Sequence, residues 1–167
     1  TSTYGDVQHY FETRMVRFTK NSALVLIRDI SEQKQANAKV FRLAFYDTLT
    51  GLPNRQSFLT RLSEAIRDAE VSKKMLSILY LDLDNFKRIN DSLGHSLGDE
   101  LLRTISRRIE KCVRGDDYVA RFGRSQTALQ LARLGGDEFT ILIQDLESAD
   151  EAREVATRIA GVVSEPI

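Results

Sequence analysis

Apolar and polar positions follow two periods along this chain, and the change from one to the other divides it. Residues 10–18 (Tyr-Phe-Glu-Thr-Arg-Met-Val-Arg-Phe) alternate, break at Lys20-Asn21-Ser22 and resume over residues 23–27. That predicts two strands within residues 1–30. Residues 31–46 carry Ala36, Val40, Leu43 and Ala44 at helical spacing, which predicts a linker helix with Ser31 as N-cap. Residues 47–55 are turn-rich and launch a helix whose apolar face holds Phe58, Leu62, Ala65, Ile66 and Ala69. Residues 76–83 (Leu-Ser-Ile-Leu-Tyr-Leu-Asp-Leu) are almost continuously apolar, as expected of a central strand buried on both faces. A short helix over residues 85–93 closes at Gly94, and Gly98-Asp99 opens another. The inward face of that second helix holds Leu101, Leu102, Ile105, Ile109, Cys112 and Val113.

Residues 131–144 read as a β-hairpin with Gly135-Gly136 as its two-residue turn. Ser148 and Glu151 then form a capping box ahead of Ala152, Val155, Ala156, Ile159 and Val163. After residue 47 the order is helix, strand, helix, helix, hairpin, helix. The expected class is α/β, an α+β sandwich with helices flanking a mixed sheet.

Composition narrows the function more than the fold. Lys+Arg and Asp+Glu balance at 24 each among 167 residues, so no basic field argues for nucleic acid. No apolar run reaches membrane-spanning length and no signal peptide is visible, which points to a cytoplasmic module. The single cysteine, Cys112, reads as a small buried hydrophobe in a reducing compartment.

In a chain of zero net charge, clustered acids are local and placed. Asp82 and Asp84 end the apolar run at 76–83, and Asp137 and Glu138 follow the glycine pair. Like charges ~4 Å apart repel by roughly 4 kcal/mol at an effective dielectric of 20. If the hairpin pairs beside the strand, up to four acids converge, and a cation makes that arrangement cheap. Oxygen-only donors without His or Cys favour Mg²⁺ or Mn²⁺ over zinc. Such a site suits phosphoryl or nucleotidyl transfer, in which metal ions clamp attacking and leaving oxygens.

Four motifs in order carry a resemblance. Asp47-x-Leu-Thr-Gly-Leu-Pro-Asn-Arg55, Asp82-Leu-Asp-Asn-Phe-Lys-Arg-Ile-Asn90, Gly94-His95-x-x-Gly98-Asp99 and Gly135-Gly136-Asp137-Glu138-Phe139 together resemble the GGDEF domain of diguanylate cyclases. The resemblance runs from Asp47 to the end of the chain. It implies a palm-like fold related to nucleotidyl cyclases and polymerases. It also implies condensation of two GTP into cyclic di-GMP, with Mg²⁺ and catalysis across a homodimer, in a bacterial signalling protein.

By the same resemblance, Asp82, Asp137 and the Leu83 carbonyl are the metal ligands. Asp137 activates the 3′-hydroxyl, a role Glu138 takes or shares. Asn90 and Asp99 read guanine, because an Asp can accept from the N1–H and amino group that adenine lacks. Asn85, Phe86 and Lys87 form the phosphate-holding turn, and Gly135 and Gly136 let the hairpin backbone approach the ligand. His95 is either a ligand contact or a loop histidine. Bland alternatives stand beside these: Asp84 as a helix cap, Asp99 as an N-cap, Asn90 as a helix-end polar residue.

Arg114 and Asp117 fit an RxxD site for inhibition by cyclic di-GMP. Against the family's spacing, residues 124–135 look like an insertion with near-duplicate edges, expected to loop out or lengthen the hairpin. The family domain also continues past the point where this chain stops, so C-terminal truncation is expected. Residues 28–34 (Arg-Asp-Ile-Ser-Glu-Gln-Lys) resemble the exit of PAS sensor domains. The expected organisation is 1–30 PAS-like strands, 31–46 linker helix and 47–167 GGDEF domain. The competing reading is a non-catalytic module that binds GTP or cyclic di-GMP and is attached to an EAL phosphodiesterase domain.

Overall fold

A computed structural model describes residues 2–4, 7–17, 19–20, 22–114 and 129–166. The chain forms two compact units, Thr1–Ala44 and Phe45–Ile167. In the first, β1 (Ser2–Tyr4) pairs antiparallel with β2 (Val7–His9), and β3 (Phe11–Arg17) with β4 (Ala23–Asp29). Strands of three residues are too short to show a period, so the sequence yields only the β3–β4 pair. That pair leaves Met15 and Ile27 about 70% exposed. Helix α1 (Ser31–Phe45) follows. Ser31 is its first residue and not its cap. Its N–H donates to Asp29 Oδ1 at 2.8 Å, and its buried hydroxyl accepts from the Tyr10 N–H at 2.9 Å.

The second unit is built on one antiparallel sheet. Its strands are β5 (Met75–Leu81), β6 (Leu129–Gly135) and β7 (Glu138–Leu146), in the order β5-β7-β6. β5 and β6 run in the same direction, as a crossover through helices requires. β7 lies between them, so the mixed pairing expected from the sequence is antiparallel throughout the described strands. The central strand is therefore β7, where Phe139, Thr140, Ile141, Leu142 and Ile143 are all buried. β5 sits at an edge of these strands with Met75, Ile78 and Tyr80 exposed. Its unbroken apolar run resembles a doubly buried strand because pattern alone does not show which face a neighbour covers.

Helix α2 (Arg55–Ser72) packs Phe58 and Ala65 on one face of the sheet against Ala132 and Leu142. Asn54 caps it, accepting from the Ser57 N–H at 3.1 Å. The other face carries α4 (His95–Arg114) and α5 (Ala149–Val163). There Leu102, Ile105, Ile109 and Val113 join Phe139, Ile141, Ile143, Val155 and Ile159 in the main core. Ser148 occupies the N-cap of α5 but makes no side-chain cap bond. The short α3 (Phe86–Leu93) precedes α4, which begins at His95 and so places Gly98-Asp99 inside its first turns. Cys112 is half-buried at the margin of the core.

Candidate functional site

The sheet register brings the two acidic segments to one end. Tyr80 pairs with Thr140 and Leu81 with Phe139. Continued by one and two positions, that register sets Asp82 level with Glu138 and Leu83 level with Asp137. Asp82 is exposed, and Asp137 and Glu138 are half-buried. Among the described residues Asp82, Asp84 and Asp137 make no ion pair. Glu138 faces the Tyr80 phenol. Chiefly by accepting its hydrogen bond, with burial and the charges of Glu138 and Asp82 adding, the site holds that phenol above its ordinary value; Arg55 opposes the shift.

The hairpin turn lies one residue later than its glycine pair suggests. Gly135 pairs with Glu138, so Gly136 and Asp137 are the turn residues, and Gly136 supplies the positive φ of 54°. Asp137 is thus carried on the turn, not on the strand. The apparent insertion at 124–135 divides: residues 129–135 are the hairpin arm itself, paired with β7 with a register shift between Arg133 and Gly135, and residues 124–128 lie outside the described residues.

One arginine fixes that turn. Arg133 Nε and Nη2 donate to the Gly136 carbonyl at 3.0 and 2.6 Å, and Nη1 pairs with Asp47 Oδ1 at 2.8 Å. Asp47 also accepts from the Thr50 N–H and hydroxyl, at 2.8 and 2.6 Å. Burial pushes the Asp47 carboxyl up, but the bonds from Thr50 and Arg133 outweigh it and hold the group below the usual carboxylate range.

Between β5 and α3 the backbone bends sharply. Asn85 takes φ 59°, a left-handed conformation that asparagine tolerates. The Phe86 N–H donates to the Leu83 carbonyl at 3.2 Å, leaving a second lone pair on that oxygen. The Lys87 and Arg88 N–H groups at the head of α3 have no acceptor among the described residues. Such a turn favours an anion. Neither Asp84 nor its side chain caps α3, whose N-cap is Asn85.

At the α3–α4 junction, Asn90 and Phe86 lie over Gly98. Asp99 follows directly, half-buried and within α4, so N-capping does not account for it. Asn90 is in the body of α3, and its carbonyl accepts from the Gly94 N–H at 2.9 Å. His95 is exposed at the head of α4. Arg114 is the last residue of α4, and Asp117 lies outside the described residues, as does the rest of the RxxD loop.

The donors that the resemblance assigns at the sheet end, Asp82, Asp137 and the Leu83 carbonyl, are all oxygen. Among the described residues no three His, Cys, Asp or Glu side chains cluster closely enough to cage an ion. Mg²⁺ does not need such a cage, since it is commonly held by one or two carboxylates with waters and substrate phosphates. The donor set fits it.

The family profile "Diguanylate cyclase, GGDEF domain" matches residues 44–132. The match ends short of the turn, within the hairpin arm β6. TpbB of Pseudomonas aeruginosa, named a diguanylate cyclase, is 42% identical over 131 residues, 78% of this chain and 27% of that protein. Its solved GGDEF domain gives a TM-score of 0.63 at 41% identity, covering 73% of this chain and 64% of that one. MucR of the same organism, named a bifunctional diguanylate cyclase/cyclic di-GMP phosphodiesterase, is 40% identical over 132 residues, 79% of this chain and 17% of that protein. DgcB of Caulobacter crescentus, solved with cyclic di-GMP, gives a TM-score of 0.63 at 27% identity, over 78% of this chain and 61% of that one. The chain belongs to the GGDEF diguanylate cyclase family. It spans about a quarter or less of the length of these two curated relatives.

Sequence reasoning missed Arg133 and Tyr80 as contributors, and it named Asp47 and Gly98 as motif residues without the contacts they make. Those contacts, Asp47 with Arg133 and Gly98 with Asn90, are chosen by the fold.

Proposed function

We propose that this chain is the GTP-binding and catalytic part of a diguanylate cyclase acting in the cytoplasm. Two GTP are joined across a homodimer: each 3′-hydroxyl attacks the partner nucleotide's α-phosphate, two phosphodiester bonds form and two pyrophosphates leave. The observation that carries this reading is the register Leu81–Phe139, which places the tip of β5 beside the turn bearing Asp137.

Asp82, Asp137 and the Leu83 carbonyl would hold Mg²⁺, which when bound neutralises triphosphate charge. Asp137 takes the proton of the attacking hydroxyl, with Glu138 next to it as the alternative acceptor. Asn85, Phe86 and Lys87 bind the phosphates through backbone N–H groups and the lysine. Asp99 accepts from guanine N1–H and its amino group, and Asn90 completes the base contact. Arg133 keeps the turn from swinging by holding the Gly136 carbonyl. Residues 1–30 are read as the edge of a PAS-like sensor and 31–46 as its linker helix, and Arg114 with Asp117 as a product-inhibition site.

The test is Asp137→Ala in the full-length protein. Mg²⁺-dependent formation of cyclic di-GMP, identified by mass, falls by more than about a hundredfold, with the thermal transition retained. Unchanged turnover ends the assignment. A second reading, a GTP-binding regulatory module joined to an EAL phosphodiesterase, draws on the family match stopping at residue 132 and on the bifunctional name of MucR. GTP binding by calorimetry without product would select it.

A further inference from the structure

We propose that Gly98 is a positioning residue for nucleotide selectivity: its missing side chain is the seat on which the Asn90 amide is set. The inference rests on the reading of Asn90 as a guanine contact.

Gly98 is buried in the first turns of α4. Its backbone does not use glycine's special freedom, because the positive-φ glycines among the described residues are Gly51, Gly94, Gly135 and Gly136. Glycine inside a helix is less favourable than alanine by roughly 0.5–1 kcal/mol. A cost without a conformational gain calls for a steric reason, and the neighbours supply one. A Cβ at Gly98 would overlap Asn90 Oδ1 outright and stand 3.0 Å from Asn90 Cγ and 3.3 Å from Phe86 Cζ. Helix α5 holds the contrasting case: Gly161 has open space where its Cβ would go.

The atom a methyl group would strike is the end of a side chain, so the backbone can stay and the amide must turn. Asn90 is the group displaced, and its direction is what base recognition uses. Position 98 therefore acts on the base through Asn90: the Phe86 ring has to give by only a few tenths of an ångström, and the phosphate role proposed for Phe86 uses its backbone N–H.

The experiment measures calorimetric affinity for GTP and for ATP, each with Mg²⁺, in the full chain and four variants. Gly98→Ala weakens GTP about tenfold, the scale of one lost hydrogen bond, and leaves ATP unchanged. Asn90→Ala does the same. The double variant is no weaker than either single one, because the methyl then has nothing to displace. Gly161→Ala keeps the parent affinities. Should Gly98→Ala fail to fold, the double variant still folds with the parent's thermal transition, since it lacks the clashing amide.

Three outcomes overturn the proposal while leaving the base reading intact. They are an unchanged GTP affinity in Gly98→Ala, equal weakening of GTP and ATP, and additive losses in the double variant. An unchanged GTP affinity in Asn90→Ala overturns the base reading, and the proposal with it.

Discussion

The loop that begins at Asp47 and the turn that carries Asp137 touch the same arginine, and they treat their acids in opposite ways. Arg133 spends one nitrogen on Asp47 and two on the Gly136 carbonyl, the residue just before Asp137. Asp47 is engaged through Oδ1, which accepts twice from Thr50 and once from Arg133, with only 19% of its side chain exposed. Asp137, next to the same guanidinium along the chain, has no ion pair among the described residues. Arg133 reaches back 86 positions to Asp47 and does not pair with Asp137. An acid that takes three protein donors on one oxygen, one of them a buried guanidinium, belongs to the scaffold. Asp137, with no ion pair among the described residues, is the acid proposed above to meet the ligand.

The largest test of that contrast is Asp47→Ala. It strips the partner from a guanidinium whose side chain is 9% exposed. Breaking a buried pair from one side costs more than deleting a surface pair, because the remaining charge stays desolvated. The expected loss is on the order of 3 kcal/mol, seen as a thermal transition lowered by about 10 °C. A loss as small as that of an exposed pair, below about 1 kcal/mol, would place Asp47 on the surface side of the comparison.

A smaller effect follows from the direction in which the Asp47 carboxyl is shifted. Its folded value lies below its ordinary value, near 3.8. The stabilisation it gives is therefore complete above about pH 4 and lost as pH falls through the folded value. Asp47→Asn keeps an acceptor but no charge. The gap in unfolding free energy from urea titration between parent and variant, on the order of 1 kcal/mol at pH 6, narrows as pH is lowered to 3. A gap independent of pH would show that shape, and not charge, holds Arg133.

How much of this was readable beforehand divides along the same line. The acids at 82 and 137, the helices and the hairpin follow from local pattern, since period and turn chemistry act over a few residues. Asp47–Arg133 is a contact between distant segments and has no local signature. The exposed edge of β5 was misread for a related reason. Ile78 and Tyr80 carry the composition of a buried strand, and what covers them is a property of the whole sheet. The start of α4 was set too late because Gly98 looks like a helix boundary, although it lies inside the helix against Asn90. The turn residue was displaced by one because two adjacent glycines offer the same local signal. Their φ values of 148° and 54° separate them only in the structure.

The smallest effect tests the other side of the contrast. Asp137→Asn removes one charge from a sheet end that also carries Glu138 and Asp82, and it removes no ion pair. The side chain is half-buried in a turn whose conformation depends on Gly136 and on the Arg133 bonds to its carbonyl. None of those supports is touched, so the fold loses nothing, and relief of like-charge repulsion adds a few tenths of a kcal/mol at low salt. The expected urea midpoint is equal to the parent's or slightly higher, and any gain shrinks as salt is added. A loss above about 1 kcal/mol would mean that Asp137 is a structural acid like Asp47, held by a partner that its surroundings do not display.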